Sequence, residues 1–249
     1  MAALTTHHLQ RAFGGFVAVD RVSLDIAAGA RHALIGPNGA GKTTLINLLT
    51  GTLRADGGDV VLAGERVTDQ PPHARVKRGL ARTFQITNLW PGLTVLESVV
   101  LVLSERLGHG GEWLRPLWSH NDVLDEAWTL LRELRLDEDA ARTTRELPYG
   151  KQRLLEIALA LATKPRVLLL DEPAAGVPTG ASHELLDTIE RLPADMTILL
   201  IEHDMSLVFR FAQRITVMVE GRILTEGTPS AIAGDRRVRE LYLGEERHV

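Results

Sequence analysis

Residues 36–43 read Gly-Pro-Asn-Gly-Ala-Gly-Lys-Thr, followed by Thr44. This is the spacing G-x-x-x-x-G-K-[ST]. Glycines at 36, 39 and 41 let backbone N–H groups close on phosphate oxygens with no Cβ in the way. Pro37, Asn38 and Ala40 complete the loop, and the N-terminus of a following helix adds partial positive charge. Lys42 would then reach β- and γ-phosphates, and the Thr43 hydroxyl would ligate Mg²⁺. Gly36, Pro37, Asn38, Gly39, Ala40, Gly41, Lys42, Thr43 and Thr44 together are the candidate nucleotide cradle. Two more clusters suit the same phosphate. The apolar run 167–170 ends in Asp171-Glu172, and the run 197–201 ends in Glu202-His203-Asp204. Asp171 could hold Mg²⁺ through water, and Glu172 could polarise the water that attacks a γ-phosphate. His203 could donate a hydrogen bond to a γ-phosphate oxygen. Plainer readings exist: a Gly-rich turn, two acids capping a helix, and a surface histidine beside Asp204, a natural N-cap for residues 205–211.

These groups need elements to hold them. Residues 32–35 are a short apolar-leaning run suited to a buried strand. Residues 42–50 carry apolar side chains at 45, 46, 48 and 49 before Gly51, which predicts a helix and its stop. Residues 22–26 alternate strictly, and 59–67 reads as a further half-buried strand. The continuous apolar runs 167–170 and 197–201 suit strands covered on both faces of a parallel sheet. Open sheets of that kind bind ligands at the carboxyl ends of their strands. Residues 182–192 supply a helical crossover. Residues 215–219 and 222–225 flank Glu220-Gly221 as a hairpin, and 229–243 reads as one or two short helices.

Between 86 and 163 strand signals vanish. Helical segments are expected near 94–107, 121–136 and 151–163, and 108–120 is interrupted by Gly and Pro. All four tryptophans (Trp90, Trp113, Trp118, Trp128) lie in this stretch. They either pack a subdomain poor in other large residues or face a partner, since Trp is favoured as an interface anchor. Gln85 sits where the core gives way to this insert, within reach of a metal or the attacking water. Arg75-Val76-Lys77-Arg78 reads as a solvated helix face.

The chain has 249 residues, 45% of them apolar, enough for a substantial core. Its net charge of −4 argues against nucleic acid as a partner. There is no cysteine, hence no disulfide framework and no thiolate chemistry. The N-terminus lacks an apolar stretch of secretory type. No run approaches the roughly 20 residues that span a bilayer. Any membrane role is expected to come through a partner.

Together these residues resemble the nucleotide-binding subunit of an ABC transporter. The resemblance implies an α/β fold: a P-loop NTPase core with a mainly parallel sheet and flanking helices, an N-terminal antiparallel β part and an inserted helical subdomain. One ABC ATP-binding domain would span 1–249, with 1–85 and 164–249 as ATPase core and 86–163 as helical subdomain. In the family's terms residues 36–43 look like Walker A and 167–171 like Walker B. Glu172 matches the catalytic glutamate, Gln85 the Q-loop, His203 the switch histidine, and Phe13 the aromatic that stacks on adenine. The stretch Leu147-Pro148-Tyr149-Gly150-Lys151-Gln152-Arg153 aligns with the family signature, usually L-S-G-G-Q, which contacts ATP on the opposite subunit. Here Pro148 replaces the serine and Tyr149 the first glycine. Backbone donors at Tyr149 and Gly150 remain, so a weakened or altered contact across the dimer is expected. Pro178 stands where many relatives carry Asp or Asn.

Finer features, residues 81–85 (ARTFQ), 201–205 (IEHDM) and Tyr242-Leu243-Gly244, are similar to the larger ATPase of branched-chain amino-acid type importers. The resemblance implies ATP and Mg²⁺ as cofactors and a second ATPase subunit, a heterodimer being favoured. It also implies two permease chains and, indirectly, a periplasmic or extracellular solute-binding protein, with the chain peripheral at the cytoplasmic face of the membrane. Three alternatives stay open at this point: an exporter ATPase for a lipid or glycolipid, a soluble ABC ATPase acting on nucleic acid or the ribosome, and a P-loop kinase.

Overall fold

Alternation decides the first strands of the structure, a computed structural model that describes residues 2–83, 89–111 and 119–245. β1 (Ala2–Phe13) and β2 (Phe16–Ala27) pair antiparallel, with Thr6 opposite Leu24 and Phe13 opposite Phe16 at the turn. Val22, Leu24 and Ile26 are buried, while Arg21, Ser23 and Asp25 are exposed, as a period of two requires. β1 itself escaped the sequence reading for a physical reason. His8 has φ 47°, and the register slips between Thr6 and Leu9, so a bulge breaks the alternation that would have marked the strand.

β3 (Arg31–Ile35) leaves this sheet and runs through the phosphate loop into α1 (Lys42–Thr50). The segment expected to be one strand over 59–67 is instead a hairpin, β4 (Gly57–Leu62) with β5 (Glu65–Arg66). Ala63 and Gly64 both take positive φ (49° and 86°), the conformation a two-residue hairpin turn demands. Ala-Gly is a weaker announcement of that turn than Asn-Gly, so the chain reversal was hidden. The first sheet has the order β2-β1-β4-β5.

α2 (Pro72–Lys77) corrects a second expectation. Val76, Lys77 and Arg78 are exposed, but Arg75 is only 2% exposed. Its guanidinium donates to the carbonyls of Leu48 (2.7 Å), Leu49 (2.5 Å), Thr68 (2.7 Å) and Gln70 (3.0 Å). Two of those carbonyls belong to the last turn of α1, which no intrahelical N–H can satisfy. Arg75 thus caps the helix that leaves the phosphate loop.

The second sheet adds β6 (Leu80–Arg82), β7 (Val167–Asp171), β8 (Thr197–Ile201), β9 (Arg214–Val219) and β10 (Arg222–Gly227) in the order β10-β9-β3-β8-β7-β6. Every neighbouring pair is parallel except β9–β10, the hairpin at Glu220-Gly221. All five residues of β7 and of β8 are buried, as continuous apolar runs imply. Leu45, Ile46, Leu48 and Leu49 of α1 share one core with Leu34, Leu199 and Ile201 and with Leu4, Leu9, Val22 and Leu62 of the first sheet. Burying such aliphatic side chains is worth about 1.5–3 kcal/mol each, which holds α1 firmly under the loop.

The chain divides into two compact units. Met1–Arg82, Arg166–Glu172 and Pro193–Val249 carry both sheets; Thr83–Pro165 and Pro173–Leu192 carry the four longest helices. The second unit contains α3 (Val95–Leu107), α4 (Asn121–Glu133), α5 (Tyr149–Ala162) and α6 (Thr179–Glu190). α3 starts with a full capping box: Thr94 accepts from the Glu97 N–H (3.1 Å), and Glu97 accepts from the Thr94 N–H (2.7 Å). Trp90 is 42% exposed, Trp128 is half-buried near Arg132, and Trp113 and Trp118 lie outside the described residues. Back in the first unit, α7 (Met205–Phe211), α8 (Pro229–Gly234) and α9 (Arg236–Glu245) complete the fold. Among the described residues no helix is long and apolar enough to cross a membrane.

Candidate nucleotide-binding site

Three adjacent parallel strands, β3, β8 and β7, end at one edge of the second sheet. Leu34 and Asp171 both pair with Ile201, so their ends are level. The loop after β3, Asp171-Glu172 at the end of β7 and Glu202-His203 after β8 therefore emerge side by side. Sequence distance hides this arrangement; parallel pairing produces it.

The loop is shaped by backbone held against backbone. A Cβ at Gly36 would collide with the Met218 carbonyl of β9, and one at Gly41 with the Ala18 carbonyl of β2. Ala40 accepts from the Gly221 N–H (3.0 Å), so the β9–β10 hairpin also braces the loop. Lys42 is 8% exposed, and its ammonium donates to the carbonyls of Gly36 (2.6 Å) and Pro37 (3.0 Å). That brings its charge to the mouth of the loop. Thr43 is exposed and Thr44 half-buried in the first turn of α1.

Asp171 is 3% exposed and ion-paired with Arg82 (Nη2 to Oδ2, 2.7 Å). The other arm of Arg82 donates to Asn47 Oδ1 on α1 (2.6 Å). A buried carboxylate needs such a partner. Arg82 is the residue that sequence reasoning missed. Its signal was present, a cation at the end of a short strand just before Gln85, but only the pairing of β6 with β7 points it at Asp171.

Glu172 has φ 48°, a conformation rare for a residue with a side chain, and its N–H donates to Ile201 (2.9 Å). Backbone strain of this kind concentrates at functional positions. The Glu202 carboxylate is buried and accepts from the His203 N–H (3.2 Å); it lies 3.7 Å from His203 Nδ1. The His203 side chain is 66% exposed, presented outward from the central strand exit. Asp204 is the expected N-cap, accepting from the N–H groups of Ser206 (2.8 Å) and Leu207 (3.4 Å). The Ser206 hydroxyl and those backbone donors hold the Asp204 carboxyl below its usual pKa.

Phe13 lies at the tip of the β1–β2 hairpin, 48% exposed, with the Arg11 guanidinium 4.9 Å from its ring centre. Its partner Phe16 is two residues from Ala18, the residue that backs Gly41. Gln85 lies outside the described residues.

Tyr149 and Gly150 open α5 in the second unit, after Pro148, which caps without a side-chain hydrogen bond. The Tyr149 hydroxyl accepts from Arg153 Nη2 (2.6 Å), and the Arg153 guanidinium sits 5.0 Å from the Tyr149 ring centre. Arg153 also pairs with buried Glu156 (2.8 Å), while Gln152 Nε2 donates to the Leu147 carbonyl (2.9 Å). Side chains, not glycines, define this helix start.

The sequence and structure have clear relatives. The ABC transporter family model matches residues 19–175, and that of the branched-chain amino acid ATP-binding cassette transporter matches 222–248. A high-affinity branched-chain amino acid transport ATP-binding protein, LivG of Salmonella typhimurium, is 40% identical over 97% of this chain and 98% of its own. A probable LivG protein of Archaeoglobus fulgidus is 34% identical over 99% of this chain and 97% of its own. A solved structure described as the ADP conformation of an ATP-binding cassette of an ABC transporter superposes with TM-score 0.86. It is 33% identical and covers 98% of this chain and 99% of its own. Full-length relatedness and the three clusters on one sheet edge lead to one conclusion: the chain belongs to the ABC transporter ATP-binding family.

Proposed function

We propose that this ATPase drives uptake of branched-chain amino acids, or of related small amides or carboxylates, as one of two ATPase subunits. The two would dock on a pair of permease chains at the cytoplasmic face of the membrane and be served by a solute-binding protein. The observation that carries the ATPase part is the level exit of β3, β8 and β7, which sets Lys42, Glu172 and His203 on one edge. The named relatives and the family match over 222–248 support the importer branch.

At this edge Lys42 would exchange the carbonyls of Gly36 and Pro37 for β- and γ-phosphate oxygens, with the N–H groups of the loop around it. Phe13 would stack on adenine. Mg²⁺ fits the residues present, because Thr43 and Asp171 are oxygen ligands of the hard kind it prefers; Gln85 would join them. When bound it neutralises charge on the phosphates. Glu172 would orient and polarise the attacking water, and His203 would donate to the γ-phosphate, where electrostatic stabilisation acts. The N–H groups of Tyr149 and Gly150 would face the ATP of the second subunit, with Pro148 contributing neither hydroxyl nor N–H.

The test is isolation of the intact membrane complex with identification of its chains, followed by reconstitution in vesicles. ATP hydrolysis stimulated by a solute-binding protein loaded with leucine, isoleucine or valine is expected. Stimulation by a lipid with no binding protein would overturn the importer reading.

A further inference from the structure

We propose that His109, His120 and Asp122 form a site for a divalent transition metal such as Zn²⁺, at the base of the connection between α3 and α4. His109 opens the 3-10 turn His109–Gly111 that follows α3; His120 immediately precedes α4, and Asp122 lies in its first turn. The ligating atoms of the three side chains all lie within 4.8 Å of one another. His109 Nε2 is 3.5 Å from Asp122 Oδ2, and the rings of His109 and His120 stack with centres 4.0 Å apart at 26°.

The spacing suits the ion. Tetrahedral zinc with bonds of about 2.0–2.1 Å has ligand–ligand edges of about 3.3 Å. The His109–Asp122 pair already stands near that value at 3.5 Å, and the other separations, none above 4.8 Å, must close by up to about 1.5 Å through side-chain rotation. The donor set selects for chemistry. Two imidazoles and one carboxylate suit borderline ions of the zinc, nickel and copper group, whereas Mg²⁺ prefers oxygen and retains its waters. A shared cation takes one nitrogen from each imidazole, so the stacked rings would turn apart to aim both in-plane lone pairs at the ion. Three protein ligands leave a fourth position open. The ion would tie together the two ends of the connection 110–119, which contains Trp113 and Trp118. None of the three residues belongs to the nucleotide cradle, so metal binding can be read while the ATP chemistry is left intact.

The full chain, stripped with a chelator, is titrated with Zn²⁺ against a chromophoric indicator and with Co²⁺ by visible spectroscopy. One ion per chain is expected, with Kd tighter than about 10 µM and Co²⁺ bands of a low-coordinate site with nitrogen ligands. Asp122→Asn, at a side chain 61% exposed, should weaken binding by more than about tenfold, and His109→Gln should do the same. His120→Gln should abolish it; if that variant does not fold, the first two decide. The exposed His7 and His8 are a competing pair, and His7→Ala/His8→Ala should retain the ion. Equal binding by wild type and the His109→Gln/Asp122→Asn double variant overturns the site. So does binding lost with His7 and His8. A melting temperature that follows these residues through pH but ignores added metal also overturns it, since the cluster would then hold protons only.

Discussion

Two helix starts in this protein are built in opposite ways. α1 begins on a loop whose turns are pressed against backbone carbonyls at Met218 and Ala18, where no side chain fits, and its one charged group is Lys42. α5 begins behind Pro148 with Tyr149, and its order comes from side chains: Tyr149 to Arg153, Arg153 to Glu156, Gln152 to Leu147. A backbone cradle tolerates almost no substitution at Gly36 and Gly41, because a Cβ at either would collide with a backbone carbonyl. A side-chain scaffold accepts change at the positions it props. The family pattern is complete at 36–43, where the backbone makes the cradle, and altered at 147–150, where side chains order the helix start.

The largest effect is expected where the first region depends on a buried charge. Arg82→Met leaves Asp171, 3% exposed, without its cation. Breaking a buried pair in this way typically costs about 3–5 kcal/mol, to be read from denaturant unfolding. A loss below about 1 kcal/mol would mean that the pair is not what holds this edge.

Glu172→Gln comes next. General-base help is commonly worth about 10²–10⁴ in rate, so hydrolysis should fall at least about a hundredfold while ATP binding persists. Near-normal turnover would remove Glu172 from its role and shift the chemistry away from the β7 exit. Tyr149→Phe, in the second region, should act more gently. It removes one hydrogen bond to a charged group, worth about 1.5–3 kcal/mol when buried and less at a residue 39% exposed. Amide exchange in the first turn of α5 should quicken several-fold, with hydrolysis changed far less than in Glu172→Gln. Equal losses of activity from the two variants would erase the contrast between the helix starts.

The smallest effect concerns pH. His32, on β3, is 1% exposed and hydrogen-bonded to Thr216 (2.8 Å). Burial pushes its pKa below the ordinary 6.5, against a raising influence from Glu226 and alongside a lowering one from Arg214. As pH falls through 6.5 the unfolded chain takes up this proton before the folded one does, so stability declines below that pH and is unaffected above it. Melting temperatures from pH 8 to 5 should show the decline, and His32→Gln should flatten it.

Much of the site was legible because its chemistry is local. Residues 36–43 are one contiguous string, and Asp171, Glu172 and His203 each end an apolar run that marks a buried strand. Arg75 and Arg82 were not legible. Arg75 is a cation in a polar stretch and Arg82 one that ends a short strand, and whether either meets water or a buried acceptor depends on what the fold sets beside it: the last turn of α1 for Arg75, β7 for Arg82. β1 and the β4–β5 turn were hidden for a local reason instead, a bulge at His8 and an Ala-Gly turn that breaks no pattern rule.

By itself, the sequence determined the phosphate loop, the strands buried on both faces and the helix N-cap at Asp204, because each depends on neighbours within a few residues. Only the tertiary structure decided that β8 lies between β3 and β7, levelling three distant clusters on one edge, and that Asp171 shares its charge with Arg82. Strand order and ion pairing between distant segments are properties of packing, and packing is settled by the whole core at once.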